Sequence, residues 1–239
     1  LVGNNGSTVK QSYSTGSVVG DDYVGGLVGR NYGTVRESYS TGSVAGDDDI
    51  GGLVGGNRHG TVTQSYSTGS VLGTGNSSVG GLVGWNEYGT VTQSYSTGSV
   101  SGSSYVGSLV GKNYGSGATI TQSYSTGVVS GSGGSIGGLV GYNEEGTITQ
   151  SYSTDSVSGS GDYIGGLVGD NYSGTITESY WDINTSGQST SAGGEGKTSE
   201  EMKQQATFVD WDFTNVWGIV ENSSYPYLLW QGGPLSPVP

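Results

Sequence analysis

A unit of 26 to 30 residues repeats from the start of the chain to about residue 180, and this repeat strongly limits the folds available to it. The clearest copy contains residues 25–31, GGLVGRN, followed by residues 34–44, TVRESYSTGSV. Its leucine recurs at Leu1, Leu27, Leu53, Leu82, Leu109, Leu139 and Leu167, and its tyrosine at Tyr13, Tyr39, Tyr66, Tyr95, Tyr124, Tyr152 and Tyr180. Self-similarity at a period of this length predicts a solenoid or an array of stacked units.

The residues inside each unit favour strands over helices. Residues 34–41 are rich in β-branched and aromatic types, and we expect them to form one strand. Val24 and Leu27 are three positions apart and cannot both face inward on a straight strand, so the two glycines between them predict a bend. The sequence therefore predicts an all-β protein, a right-handed parallel β-helix (β-solenoid) of about seven coils, each with three short faces. At roughly 4.8 Å per coil this rod is on the order of 34 Å long.

Stacking should place equivalent residues of successive coils in columns. An asparagine amide can donate to one neighbour and accept from the other, so we interpret the asparagine column as a structural ladder. That column is Asn5, Asn31, Asn57, Asn86, Asn113, Asn143 and Asn171, and the leucine ladder beside it is Leu27, Leu53, Leu82, Leu109, Leu139 and Leu167, with Leu1 before it. For the tyrosine column, inward packing and an exposed stripe both remain open.

The composition changes after residue 180, which predicts three regions: a solenoid at 1–180, a C-terminal capping segment at 181–230 and a Pro-rich tail or linker at 231–239. Residues 181–230 contain four of the five Trp and both Phe. A solenoid exposes the core of its last coil, so an aromatic-rich cap is expected there. A carbohydrate-stacking platform built from these tryptophans is the alternative.

Two features are expected within the capping segment. Residues 184–196 read as a polar linker. Thr198 and Glu201 have the spacing of a capping box, which predicts one short helix through Met202 to Ala206.

Charge and residue usage exclude several functions. The chain has 7 Lys+Arg against 20 Asp+Glu, a net charge of −13, which argues against nucleic acid or an anionic membrane as a partner. No apolar run approaches the length of a membrane span, so we expect no membrane insertion. With no Cys and His59 as the sole His, zinc sites and Ser/His/Asp catalysis have no constellation. We predict no enzyme and no catalytic residues.

Two charged clusters stand out. Asp21, Asp22, Asp47, Asp48 and Asp49 fall in register on neighbouring coils, and stacked carboxylates suit Ca²⁺. They form a candidate calcium site, with flexible solvated acids as the alternative, and no other cofactor is expected.

The second cluster is basic. Arg30, Arg36, Arg58 and His59 lie on neighbouring coils, and we expect them to partner Glu37 at the surface.

Ordered hydroxyls suggest another function class. Columns of threonine and serine would form flat arrays of the kind that ice-binding β-solenoids use, although Thr is also an ordinary strand former. The columns are Thr34, Thr61 and Thr90; Thr41, Thr68 and Thr97; and Ser40, Ser67 and Ser96.

The repeat resembles a known motif. Residues 26–29 and 52–55, both GLVG, together with the copies at Leu82, Leu139 and Leu167, resemble the GLUG motif. With the Ser-Tyr-Ser-Thr-Gly run they look like repeats of filamentous-haemagglutinin-like bacterial adhesins and of surface-anchored IgA peptidases. Ser108 replaces the second glycine before Leu109. The segments SYWD at 179–182, WDF at 211–213 and WGI at 217–219 resemble the end of such arrays.

This resemblance implies a secreted or cell-surface protein, an adhesin stalk or a self-assembling filament subunit. No comparable cap precedes Leu1, so either sequence before it covers this edge or another molecule adds strands there. The second case predicts head-to-tail self-association, beside other surface proteins or glycans as partners. A ligand-binding module for glycan or ice, acting through ordered Ser/Thr/Tyr ladders, is the alternative.

Overall fold

Each repeat forms one coil of five short strands separated by tight corners, and successive coils pair in parallel along five sheets. The computed structural model describes residues 2–75 and 77–235, so Leu1 of the leucine column and residues 236–239 of the predicted tail lie outside the described residues. The result is an all-β parallel solenoid of about six turns, which confirms the predicted fold class.

Three sheets follow one another within each coil. The asparagine sheet contains Val2–Asn5, Val28–Asn31, Val54–Arg58, Val83–Glu87, Val110–Tyr114, Val140–Glu144 and Val168–Tyr172. The threonine sheet contains Thr8–Lys10, Thr34–Arg36, Thr61–Thr63, Thr90–Thr92, Thr119–Thr121, Thr147–Thr149 and Thr175–Thr177. The tyrosine sheet contains Tyr13–Ser14, Tyr39–Ser40, Tyr66–Ser67, Tyr95–Ser96, Tyr124–Ser125, Tyr152–Ser153, Tyr180–Asp182 and Glu195–Lys197.

Two further sheets close the coil. The fourth contains Val18–Val19, Val44–Gly46, Val71–Gly73, Ser99–Gly102, Val128–Gly131 and Ser156–Gly159. The fifth contains Asp22–Gly25, Asp48–Gly51, Ser78–Gly80, Tyr105–Gly107, Ser135–Gly137 and Tyr163–Gly165. Five strands per coil replace the three faces expected from the sequence.

The predicted strand at residues 34–41 is two strands with a corner between them. Glu37 turns the chain with a φ of +51°, and Gln64, Gln93, Gln122 and Gln150 occupy equivalent corners with φ between +45° and +49°. This left-handed conformation usually signals Gly or Asn. Residues 34–41 are strand-forming types without Gly or Asn at position 37, so the sequence does not predict the corner at Glu37.

The interior contains two separate apolar clusters. The leucines that directly precede the strands of the asparagine sheet pack with valines of the threonine sheet, while Val24 and its equivalents pack with valines of the fourth sheet. The bend at Gly25 and Gly26 lets Val24 and Leu27 both face inward, as predicted. A Cβ at Gly25 would lie 2.0 Å from the carbonyl oxygen of Val28, so no side chain fits at this corner.

Residues 181–197 close the far end of the solenoid, and they are not a linker. Trp181 joins the first apolar cluster, and Glu195–Lys197 adds a parallel strand to Tyr180–Asp182. The Ser191 hydroxyl accepts hydrogen bonds from the backbone N–H groups of Leu167 and Val168 at 3.2 and 2.9 Å. The edge of the last coil is thus paired, as a solenoid end requires.

The helix content of the capping region differs from the prediction. The capping-box hydrogen bonds between Thr198 and Glu201 are present, but they start only two 3-10 turns, Glu201–Lys203 and Gln205–Thr207. Gln204 between them is extended, with φ −118° and ψ 126°, which interrupts the helix. The α-helix is instead Ile183–Ser186, where the Asp182 carboxylate accepts from the N–H groups of Asn184 and Thr185. A third 3-10 turn, Leu229–Gln231, follows an antiparallel pair of strands, Trp217–Gly218 and Tyr227–Leu228.

Candidate functional site

The asparagine column is a continuous hydrogen-bonded ladder inside the solenoid. The side-chain amide of each asparagine donates to the amide oxygen of the next at 2.7–2.8 Å, from Asn5 to Asn171. From Asn31 to Asn143 these side chains are fully buried, and most also donate to a backbone carbonyl at the following turn, as Asn86 does to Gly89 at 2.9 Å. The ladder satisfies its own polar groups, so it holds the coils in register and leaves no amide free for a ligand.

The leucine column beside it is equally internal. Leu27, Leu53, Leu82, Leu109, Leu139 and Leu167 are all buried. Each leucine N–H from Leu27 to Leu139 donates to the carbonyl of the next leucine at 2.8–3.0 Å. Both columns therefore connect neighbouring coils inside the solenoid.

The acidic cluster is only partly assembled. Asp22 pairs in register with Asp48, and the backbone of Asp47 and Asp48 binds the carbonyl of Asp21. The next coil contributes serine, since the Ser77 hydroxyl donates to Asp49 at 3.1 Å and burial raises the pKa of the Asp49 carboxyl. Within residues 2–75 and 77–235, no three acidic or histidine side chains come together in a group able to hold a metal. Calcium binding here stays a prediction.

The tyrosine column is a stack of rings on the outside of the solenoid. Neighbouring rings from Tyr13 to Tyr152 lie nearly parallel, with centroids 4.8–5.2 Å apart. From Tyr39 to Tyr124 both faces of each ring are occupied by the neighbouring rings, so only the edges point outward, whereas Tyr13, among the residues that the structure describes, has a ring on one face only. A sugar would need a free face to stack on.

Residues 202–231, here called the aromatic strap, cover most of this stack. Phe208 and Trp211 pack on Tyr180, Trp217 packs on Tyr152 and Tyr124, and Trp230 reaches back to Tyr95 and Tyr66. The strap therefore runs along the side of the solenoid, opposite to the chain direction of the coils, and does not sit on its end. Burial beneath it raises the pKa of Tyr124 and Tyr152 well above the usual range.

Hydrogen bonds fix the strap at both ends. The Trp211 indole N–H donates to the carbonyl of Glu178 at 2.9 Å, and the Trp230 N–H donates to the carbonyl of Gln93 at 3.0 Å. The hydroxyl of Tyr152 donates to the carbonyl of Pro226 at 2.5 Å. Trp211 and Trp217 are buried, so the predicted carbohydrate platform is not available on them.

Two threonine ranks do form on one face, but not the predicted pair. Threonines at the first and third positions of each strand in the threonine sheet point outward in register over five coils: Thr61 and Thr63, Thr90 and Thr92, Thr119 and Thr121, Thr147 and Thr149, and Thr175 and Thr177. Ser40, Ser67 and Ser96 instead face the interior and are fully buried. The copy at residues 34–44 shows no sign of the second rank, because Arg36 stands there in register with Thr63.

The basic cluster divides among different partners. Arg36 contacts Glu37 at 2.8 Å as expected, while Arg58 contacts Glu87 at 2.7 Å and Arg30 stacks on Tyr23. His59 stacks on Tyr88 with centroids 5.2 Å apart.

A buried carboxyl group escaped the sequence reasoning. Asp155 is fully buried at a position where other coils have Gly, such as Gly127, and the Ser153 hydroxyl donates to it at 3.0 Å. Burial raises the pKa of this carboxyl to about 6. The break in the Ser-Thr-Gly pattern was the only sign of it in the sequence.

Comparisons with known proteins agree with the repeat. The family model described as "The GLUG motif" matches residues 20–45, 48–72, 75–101 and 132–158. A solved structure described as a "putative immunoglobulin A1 protease from Bacteroides ovatus" superposes with a TM-score of 0.66 at 21% identity, covering 91% of this chain and 74% of that chain. This similarity supports the fold. No curated protein matches the chain.

Proposed function

Since four stretches of this chain match the GLUG motif, we propose that it is an extracellular structural and interaction protein, an adhesin stalk or filament subunit at a microbial cell surface. The observation that carries the proposal is that the most regular columns of the repeat lie in the interior. The asparagine and leucine columns are buried ladders that join each coil to the next. In such a chain the repeated residues make the solenoid stiff, and the variable loops on its surface are the parts available to bind partners.

Secretion or surface display is part of this proposal. None of the helices in the described part of the chain has the length and hydrophobicity of a membrane span. The repeat type is that of extracellular proteins, and we place the chain there.

We assign no enzymatic activity to the chain. The chain has no Cys, so it cannot form a Cys/His catalytic pair. Its only His, His59, stacks on Tyr88, and no hydroxyl nucleophile among the described residues is paired with it. The stated activity of the Bacteroides ovatus protein belongs to that protein and is not carried over at 21% identity.

The filament form of the proposal is tested by electron microscopy across a concentration series, with and without Ca²⁺. Fibres one solenoid wide that lengthen with concentration are the expected result for a filament subunit. Isolated short rods at every concentration would exclude the filament and leave the stalk.

A second candidate function is binding to a crystalline surface such as ice, and the two threonine ranks favour it. Ten threonines form a two-by-five array, with adjacent strands roughly 4.8 Å apart and the two ranks roughly 6.6 Å apart. Some neighbouring hydroxyls bind each other, as Thr119 does to Thr90 at 3.1 Å. A regular lattice of hydroxyl and methyl groups is the surface that an ordered lattice of water could match.

Thermal hysteresis and ice recrystallisation inhibition test this candidate. We expect activity in the native chain and its loss in the double variant Thr92→Lys, Thr121→Lys, which places two charges in the array. The control Thr41→Lys, Thr68→Lys, outside the sheet on exposed turns, should keep it. No activity in the native chain, or equal loss in the control, would reject ice binding.

A further inference from the structure

A notch interrupts the outward column of the asparagine sheet. Arg30, Gly56 and Trp85 are consecutive in register, and the column continues with Lys112, Tyr142 and Asp170. Gly56 has no side chain, so the ring of Tyr23 lies between the long side chains of Arg30 and Trp85, whose strands are roughly 9.6 Å apart. The space left beside this ring forms a cavity of about 110 Å³. It is called the Gly56 notch, and Tyr23, Arg30, Gly56, Arg58, Trp85 and Glu87 line it.

The tyrosine ring of Tyr23 lies over Gly56. A Cβ at position 56 would approach Tyr23 Cδ1 to 2.8 Å, so the ring rests against this glycine. Arg30 Cζ lies 3.7 Å from the centroid of the Tyr23 ring, and Arg30 makes no ion pair with a described residue. The guanidinium is thus held in place by the ring while its N–H groups remain able to bind an anion.

Trp85 forms the opposite wall. Its ring centroid is 6.4 Å from that of Tyr23, and its indole nitrogen is buried without a hydrogen-bond partner among residues 2–75 and 77–235. A buried N–H with no acceptor is costly, and indole N–H groups usually find one. Because this nitrogen has almost no accessible surface, a ligand in the notch would meet the ring of Trp85 and not its N–H.

The rim of the notch carries a charge pair. Glu87, which is mostly buried, contacts the exposed Arg58 through Oε2 and Nε at 2.7 Å. The notch therefore contains two arginines and one glutamate, a local excess of one positive charge on a chain whose net charge is −13. An anionic ligand is favoured here, although it is disfavoured over the rest of the surface.

We propose that the Gly56 notch binds a carboxylate-bearing sugar residue of a glycan. The carboxylate would pair with the Arg30 guanidinium, and the Trp85 ring would contact the apolar C–H face of the sugar. Glu87, held by Arg58, would accept from a hydroxyl. The cavity volume admits part of one sugar ring, so recognition is of a single residue. The proposal goes beyond the stalk function, which needs no ligand.

Nuclear magnetic resonance of the ¹⁵N-labelled full chain tests the notch. The probes are D-glucuronate and N-acetylneuraminate, with D-glucose as the neutral match, and Trp85→Phe identifies the Trp85 indole N–H signal. Both acids, or one of them, should shift this signal in a saturable way at millimolar concentration, and glucose should not. A signal that no acid moves, or that glucose moves equally, would overturn the proposal.

Two arginine variants assign the effect to the notch. Arg30→Gln should weaken binding of the acidic sugar about tenfold or more, whereas Arg36→Gln, which removes the same charge outside the notch, should change it less than twofold. Equal weakening by both variants would mean that the sugar responds to general charge, which would also overturn the proposal. Because neither filament formation nor stiffness depends on Arg30, failure here leaves the stalk proposal intact.

Discussion

At the scale of single residues, the interior of this solenoid treats two polar groups in opposite ways. The asparagine amides bind one another, so their burial leaves no polar group unpaired. Asp155 is a carboxyl in an otherwise uncharged interior, and it is held by serine hydroxyls such as that of Ser153. The first arrangement should stabilise the fold at every pH, and the second should make stability depend on pH.

Removing one rung of the asparagine ladder should be costly. Asn86→Ala deletes the acceptor for Asn57 and the donor to Asn113 and Gly89, so the free energy of unfolding should fall by about 3 kcal/mol. Urea denaturation measures the change. The partly exposed Asn171 accepts from Asn143 and donates to Gly174, so Asn171→Ala should cost about 1 kcal/mol. Equal costs at the two positions would contradict a cooperative buried ladder.

Asp155 should make the protein more stable in mild acid. Its pKa in the folded state is about 6, above the ordinary value of 3.8, so protonation favours the folded state. The stabilisation is complete below about pH 4 and is lost as the pH rises through about 6, a difference of about 3 kcal/mol. Denaturation of the native chain and of Asp155→Asn at pH 4 and pH 7 measures it.

The variant Asp155→Asn should lose this part of the pH dependence and gain stability at pH 7. Asp162→Asn, at an exposed acid, is the matched control and should retain the native profile. If Asp155→Asn keeps the native pH dependence, the carboxyl does not titrate as described.

The sequence predicted the ladders because a column of identical residues in a stacked fold must meet itself. It did not predict the corners at Glu37, Gln64 and Gln93, where glutamate or glutamine adopts a positive φ. These residue types carry no turn signal, and the corner is imposed by the coils above and below. The second threonine rank was missed for another reason: Arg36 stands at its position in the clearest copy of the repeat, whereas threonines such as Thr63 occupy that position in later coils.

At the scale of elements, the sequence predicted that the aromatic strap packs on the solenoid, but it did not predict which surface the strap covers. The density of Trp and Phe indicated a segment that must bury them, and the exposed end of the solenoid was the expected place. The end is instead closed by Trp181 and the strand Glu195–Lys197, which leaves the strap free to cover the tyrosine stack. Which of two exposed surfaces a segment covers depends on contacts between distant residues, and no local pattern encodes that choice.

Loosening the strap should expose the tyrosines beneath it. Trp217 is fully buried against Tyr124 and Tyr152, and Trp217→Ala should destabilise strap docking by about 4 kcal/mol. Burial raises the pKa of both tyrosine hydroxyls, so their ionisation should move down towards the usual value of about 10 in the variant. Spectrophotometric titration of tyrosinate counts the groups that ionise.

The control for this titration is Val209→Ala, because Val209 is in the strap but exposed. It should leave the tyrosine titration unchanged. An unchanged titration in Trp217→Ala would mean that the strap does not depend on this tryptophan, or that the tyrosines are protected by something else, and either result contradicts the described packing.

At the scale of the whole molecule, the sheets and ladders connect each coil only to its neighbours, while the strap connects distant coils. Repeat proteins with nearest-neighbour contacts alone can unfold one repeat at a time. Here contacts of the strap extend from Tyr180 to Tyr66, so it links coils that do not otherwise touch. A stalk that must transmit tension would benefit from this arrangement, because a coil between Tyr66 and Tyr180 cannot peel away before the strap is released.

Single-molecule force measurement tests this cooperativity most directly. The chain has no Cys, so Ser70→Cys and Ser156→Cys give unique handles at equivalent exposed positions in the third and sixth coils, which the strap contacts. Pulling on them should produce one cooperative rupture of the coils between them, and stepwise opening should appear only when Trp217→Ala is added. The opposite result is a native chain that opens in separate steps, each releasing the length of one coil, on the order of 90 Å. That result would contradict the claim that the strap makes the coils unfold together.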